Sequence, residues 1–116
     1  MEIQGITIEV SDLARSKDFY ENVLGFRPGT YYEPTKWQPY TLGSLYFAIR
    51  EVDNRKSRDD FDITNFELDD VEALWDRVKD SADVAEPLAT TPYGTYKFVI
   101  RDPDGYRLGF VRTHKD

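Results

Sequence analysis

The sequence predicts an α+β fold: two βαβββ modules forming a concave mixed sheet with helices on the outer face. Three observations carry this. The first is a unit written twice, an alternating strand followed by an acidic helix cap and an amphipathic helix. It runs from Ile6-Thr7-Ile8-Glu9-Val10-Ser11-Asp12-Leu13 into Phe19-Tyr20 and Leu24-Gly25-Phe26. It runs again from Thr64-Asn65-Phe66-Glu67-Leu68-Asp69-Asp70-Val71 into Leu74-Trp75 and Val78. The second is the strand-like sequence after each helix, strongest at Tyr96-Lys97-Phe98-Val99-Ile100. The third is Arg101-Asp102-Pro103-Asp104-Gly105-Tyr106, a turn leading into a closing strand.

Each element follows in order. A period of two puts Ile6, Ile8 and Val10 on one face of the first strand and Gly5, Thr7 and Glu9 on the other. Ser11 or Asp12 caps a helix whose buried stripe is Leu13, Ser16, Tyr20, Val23 and Leu24, with Gly25 as a left-handed stop. Three strands follow: one at Tyr31-Tyr32, one from Trp37 to Leu42, and one from Leu45 to Ile49 after the Gly43-Ser44 turn. The polar run from Asp53 to Asp60 is a linker. In the second half, Thr64, Phe66 and Leu68 face one way, and Ile63, Asn65 and Glu67 the other. Asp69 or Asp70 caps a helix with Val71, Leu74, Trp75 and Val78 on its buried side. Pro87 and Thr90 to Thr95 mark loops, and Tyr106 to Val111 closes the sheet. Parity and helical spacing assign Ile6, Ile8, Val10, Leu13, Val23, Leu24, Phe66, Leu68, Val71, Leu74, Val78, Leu108 and Phe110 to the layer between sheet and helices. The chain, 1–116, is a single domain, with module one at 1–52, the linker at 53–60 and module two at 61–116.

Composition excludes several functions. A net charge of -7 argues against nucleic-acid or anionic-membrane partners, which need a basic face. The absence of Cys excludes disulfides, thiolate zinc sites and cysteine nucleophiles. The start Met1-Glu2-Ile3-Gln4 shows no signal peptide, and no stretch reaches membrane-spanning length, so a cytoplasmic protein is expected. An aromatic share of 15% is high enough for some rings to line a pocket rather than fill the core.

Val10-Ser11-Asp12-Leu13 with Ser16, Phe19-Tyr20 and Leu24-Gly25-Phe26 resembles the opening of the first module of the vicinal oxygen chelate superfamily. Thr91-Pro92-Tyr93-Gly94, followed by Phe98-Val99-Ile100-Arg101-Asp102-Pro103-Asp104-Gly105, resembles the end of its second module. The superfamily holds glyoxalases, bleomycin-resistance proteins and extradiol dioxygenases, and the resemblance covers nearly the whole chain. It implies the glyoxalase/bleomycin-resistance fold. In metal-dependent members a His starts the first strand of each module and a Glu sits in the last strand of each. Matching the strands places those positions at Gly5, Phe47 or Ala48, Ile63 and Gly109. None offers a metal-binding side chain, and the only His, His114, lies outside the motif. No metal, cofactor or catalytic residue is therefore assigned, because the familiar imidazole–carboxylate site cannot be built.

What remains for the cleft is a set of acids and rings. Glu9 and Glu67 occupy equivalent positions in the two modules and face the concavity by parity. Two such carboxylates suit an ammonium or guanidinium ligand; alternatively Arg107, on the same face of the last strand, pairs with one of them. Thr7 and Asn65 add neutral hydrogen bonds on that face. Tyr31, Trp37 and Tyr40 suit stacking on a flat ligand or burial against other protein, and Tyr93 lies in a loop that borders the cleft in relatives. The expected function is a non-catalytic protein that binds a small aromatic or cationic molecule, as bleomycin-resistance proteins do. The alternatives are a lyase or dioxygenase of the same superfamily with a displaced or carboxylate-only metal site, and an interaction module with a collapsed cleft. A homodimer is expected from the resemblance and from the aromatics of the first module.

Overall fold

Alternating apolar and polar residues build the strands, and an aspartate starts each helix. The computed structural model describes residues 1–53 and 63–113. The expected linker, beyond Asp53, and His114 lie outside the described residues. The chain divides into two compact units, Met1–Ser57 and Arg58–Asp116.

In the first unit, strand β1 (Gly5–Val10) leads to helix α1 (Leu13–Lys17), then to strands β2 (Trp37–Leu42) and β3 (Leu45–Glu51). Of the two candidate caps, Asp12 is the one used: its Oδ1 accepts the Arg15 N–H at 3.1 Å. The helix continues as a π-helical turn, Asp18–Val23, which the 3.6-residue period does not predict. There the Leu24 N–H donates to the Phe19 carbonyl at 3.0 Å. Gly25 then takes φ +79°, the expected left-handed stop. Tyr20 is fully buried, 5.2 Å from the Phe47 ring and 5.8 Å from Phe26. The sheet order is β1-β3-β2, with β3 parallel to β1 and antiparallel to β2.

The strand expected at Tyr31-Tyr32 does not form. That segment makes only single bridges, Pro28 to Tyr40 and Tyr32 to Trp37, before a 3-10 turn at Glu33–Thr35. Pro28 and Pro34 lack the N–H that a ladder needs. Module one is thus built as βαββ.

In the second unit, strand β4 (Ile63–Leu68) and helix α2 (Val71–Val78) precede strands β5 (Asp83–Thr90), β6 (Tyr96–Arg101) and β7 (Arg107–Arg112). The order is β4-β7-β6-β5, with β4 parallel to β7. Asp70 caps α2 by accepting the Ala73 N–H at 3.0 Å. Phe98 and Phe110 stack with centroids 5.1 Å apart, Phe66 stacks on Phe110 at 5.2 Å, and Trp75 lies 5.1 Å from Phe98. Pro87 falls inside β5 instead of a loop. β5 is an edge strand with register shifts around Glu86, where a missing donor is tolerated. The Asp102 turn forms as expected. Its Oδ1 accepts the N–H groups of Asp104 at 2.9 Å and Tyr106 at 2.8 Å, and Gly105 takes φ +90°.

Each sheet has one helix-covered face. It carries Ile8, Val10, Tyr40, Phe47 and Ile49 in the first unit, and Phe98, Ile100, Leu108 and Phe110 in the second, all buried. Ile6, assigned to this layer, is 44% exposed because it stands at the start of its strand. Leu13, Val23, Phe66, Leu68 and Leu74 are half-buried. Among the described residues no helix is long and apolar enough to cross a membrane.

Candidate functional site

The face opposite the helix defines the candidate site on each unit. On the first sheet, register brings Gly5, Thr7 and Glu9 of β1 beside Tyr46, Ala48 and Arg50 of β3, and these beside Thr41, Pro39 and Trp37 of β2. Glu9 accepts from the Arg50 guanidinium at 3.0 Å, with both side chains partly exposed. The Trp37 indole reaches across β3 and donates to Thr7 Oγ1 at 3.1 Å. Trp37 and Tyr46 meet edge to face, with centroids 5.6 Å apart and planes at 79°. Thr7, Glu9 and Trp37 are therefore together, joined by Arg50 and Tyr46. Sequence reading missed these last two, although the alternation of Leu45 to Glu51 places both on this face.

On the second sheet the same face carries Ile63, Asn65 and Glu67 of β4, Arg107 and Gly109 of β7, and Lys97 and Arg101 of β6. Lys97 Nζ donates to Asn65 Oδ1 at 3.2 Å, and Glu67 is exposed. Parity pairs Arg107 with Glu9 or Glu67; within its own unit Arg107 donates to Glu86 of β5 at 3.5 Å. Tyr93 is 92% exposed, at the tip of a loop pinned by Thr91 Oγ1, which accepts the N–H groups of Tyr93 and Thr95.

Tyr40 is not available to a ligand. It is fully buried on the helix-covered face, and its hydroxyl donates to Glu21 Oε2 at 2.8 Å. Burial and that carboxylate push its phenol pKa far above the usual value. Tyr31 adjoins Tyr32, whose backbone pairs with Trp37, and faces the helix end of the module. Its ring centroid is 5.7 Å from Lys17 Nζ, and it lines a pocket of about 570 Å³ with Asp12, Leu13, Ala14, Lys17 and Glu51. Glu51 accepts the Leu13 N–H at 2.9 Å and the Lys36 ammonium at 3.1 Å, and these two contacts hold its carboxyl below the usual range.

The superfamily's metal-ligand positions can be tested directly. Phe47 is on the helix-covered face, so Ala48, opposite Thr7, is the matching residue of that pair. A β-carbon at Gly5 would collide with the Tyr46 ring, and one at Gly109 with Asn65 Oδ1. The glycines therefore lie beneath a ring and an amide from neighbouring strands. Among the described residues no group of three or more His, Cys, Asp or Glu gathers to hold a metal ion. The donor set does not fit an imidazole–carboxylate centre.

No curated protein matches the sequence. Solved structures do. A protein of unknown function from Agrobacterium tumefaciens str. C58 aligns with TM-score 0.84 at 22% identity, covering 98% of this chain and 95% of that one. TioX from Micromonospora sp. ML1 aligns with TM-score 0.78 at 19% identity, covering 97% and 98%. A lactoylglutathione lyase from Agrobacterium tumefaciens aligns with TM-score 0.76 at 20% identity, covering 96% and 92%. At such identities the likeness is one of fold. The profile of the Glyoxalase/Bleomycin resistance protein/Dioxygenase superfamily matches residues 2–110, and the chain belongs to that superfamily.

Proposed function

We propose that this protein binds a small neutral or cationic aromatic molecule and does not act through the superfamily's metal site. The observation that carries the reading is the condition of Gly5 and Gly109. Both stand where relatives place ligands, and both are covered, by Tyr46 and by Asn65. The proposed binding groups are Thr7, Glu9 and Trp37 on the first module, and Asn65, Glu67, Arg107 and Tyr93 on the second. Rings and hydrogen-bonding groups with partly exposed charges suit recognition of a small polar aromatic.

The test has two arms. Elemental analysis of the purified protein is expected to find no stoichiometric transition metal; roughly one equivalent of zinc, nickel, iron or manganese per chain overturns the reading. A thermal-shift screen of aromatic amines and neutral aromatics supplies hits, which are then titrated against Glu9→Gln and Glu67→Gln. Because Glu9 is 46% exposed and paired with Arg50, its loss should weaken a cationic hit by only about 1 kcal/mol. Equal binding to wild type and both variants removes these acids from the site. The same reading includes a homodimer, supported by exposed Tyr32 and Tyr93. Light scattering that gives a monomer at high protein concentration excludes it.

A further inference from the structure

We infer that the first module carries a second small-molecule site, for a zwitterion of the amino-acid class, in the pocket between helix α1, Tyr31 and the end of β3. This site is separate from the face opposite the helix and does not depend on what that face binds. The pocket holds about 570 Å³, within the range of small-ligand sites, and is lined by Asp12, Leu13, Ala14, Lys17, Tyr31 and Glu51. It stands where β1 passes into α1 and where β3, parallel to β1, ends. That is the end of parallel strands at which open α/β sheets take their ligands. The walls are fixed in advance. Tyr31 lies between Gly29, whose N–H donates to the Pro39 carbonyl at 2.8 Å, and Tyr32, which exchanges backbone hydrogen bonds with Trp37 at 2.9 and 3.0 Å. Lys17 is anchored by Gln38. That amide is 1% exposed and donates to the Gly29 and Pro39 carbonyls at 3.1 and 2.9 Å, which turns its Oε1 to accept from Lys17 Nζ at 3.1 Å. The ammonium also stands 3.7 Å from Glu21 and 5.7 Å from the Tyr31 ring centroid, within cation–π reach. A lysine held in this way presents a placed positive charge.

The lining carries both signs of charge. An ammonium has three N–H groups, and Gln38 takes one from Lys17, so donor capacity remains for a carboxylate. Asp12 and Glu51 supply the opposite charge. Asp12 uses Oδ1 for the Arg15 N–H, and Glu51 accepts one bond at each oxygen, from the Leu13 N–H and from Lys36. Each carboxylate oxygen has two lone pairs, so both side chains retain capacity to accept from an ammonium. Leu13, Ala14 and the Tyr31 ring add apolar surface. The complement of this lining is a molecule with a carboxylate, an ammonium and an apolar side chain. A simple carboxylic acid meets Asp12 and Glu51 with like charge, and a simple amine meets Lys17 with like charge. Like-charge juxtaposition selects against both.

The experiment titrates the full chain with glycine, alanine, leucine and phenylalanine in neutral buffer. The best binder is then compared with its amide, which lacks the carboxylate, and with its deaminated acid, which lacks the ammonium. Binding is followed by calorimetry, and folding by circular dichroism. The amino acid should bind about tenfold tighter than either analogue. Lys17→Met should bring it down to the level of its amide, because the carboxylate loses its partner. Ala14→Trp places a large ring in the pocket from an exposed position and should abolish binding. This variant carries the test alone if Lys17→Met fails to fold. No binding by any of the amino acids, equal binding of amino acid and analogues, or full binding by Ala14→Trp overturns the inference. Hits from the aromatic screen should bind Ala14→Trp as they bind wild type; their loss there makes the two sites one and overturns the inference as well. If no amino acid binds while an aromatic hit binds in a Trp37-dependent way, the zwitterion inference falls and the aromatic reading stands.

Discussion

Replacing Gly5 by Ala tests whether the Tyr46 ring fills the superfamily's first ligand position. The new β-carbon would lie within 2.6 Å of Tyr46 Cδ1 and closer still to two other ring atoms, so the ring has to turn away. Turning it breaks the edge-to-face contact with Trp37, worth about 0.5–1.5 kcal/mol, and exposes part of its apolar surface. The clash as a whole costs about 2 kcal/mol, typical of an added carbon in a filled space. Against this, Ala in a strand is more favourable than Gly by roughly 0.5–1 kcal/mol. Gly5→Ala should therefore destabilise by about 1 kcal/mol net and lower Tm by about 4 °C. In a Tyr46→Ala background the clash is gone and only the backbone gain remains, so the same change should stabilise by about 0.5 kcal/mol or more. Urea and thermal melts of the four proteins give the coupling, about 1.5–2 kcal/mol. If Gly5→Ala has the same sign and size in both backgrounds, the ring does not occupy that space, and the account of the ligand position fails with it.

Three further outcomes are expected. Tyr40→Phe removes a buried hydroxyl that donates to Glu21, which Lys17 also approaches at 3.7 Å. The loss in urea melts should be about 1.5 kcal/mol, the lower end for a hydrogen bond to a charged acceptor; no measurable loss means the bond contributes nothing. Asp102→Ala leaves the N–H groups of Asp104 and Tyr106 without their acceptor in a turn where Asp102 is 5% exposed, and should cost about 2 kcal/mol. Asp102→Asn keeps a side-chain carbonyl there and should retain most of that stability, so equal losses by the two variants refute the acceptor role. Glu51 has a carboxyl pKa lowered by the Leu13 N–H and by Lys36, so its folded value lies below its unfolded one. Its contribution is then present above the unfolded carboxylate range and is lost as pH falls through the folded value. Melts of wild type and Glu51→Gln should therefore converge on acidification, and parallel curves across the acid range contradict the assignment.

The parts of the fold that were legible in the sequence are the local ones. Asp12 and Asp70 cap their helices because a side-chain oxygen reaches an N–H three residues on, and that signal is written within four positions. The Asp102 turn and the Gly25 stop are equally local. The misreadings arose where several local signals compete or where partners are distant. Tyr31-Tyr32 has strand-forming side chains, but Pro28 and Pro34 on either side remove the donors of a ladder. Grouping Tyr40 with Trp37 followed their closeness in sequence, although three residues along one strand put them on opposite faces: Trp37 reaches Thr7, whereas Tyr40 is fully buried against Glu21. Tyr46 over Gly5 and Asn65 over Gly109 depend on the register between strands far apart in the chain, which no local pattern encodes.

That register changes what the missing metal ligands mean. A vacated ligand position that stayed open would leave space into which a restored imidazole could fit. Gly5 is not such a position, because a β-carbon there already meets the Tyr46 ring, and Gly109 is not one because Asn65 Oδ1 takes the equivalent space. The covering groups are also engaged in contacts of their own. Tyr46 packs edge to face against Trp37, which is tethered to Thr7, and Asn65 accepts from Lys97. Putting a ligand back at either position would have to break those contacts first. On the first sheet, then, the glycine that offers no metal-binding side chain is also the residue that leaves the Tyr46 ring its place. Both trace to the same missing β-carbon, and the partly exposed carboxylate of Glu9 stands two residues beyond Thr7 on the same face.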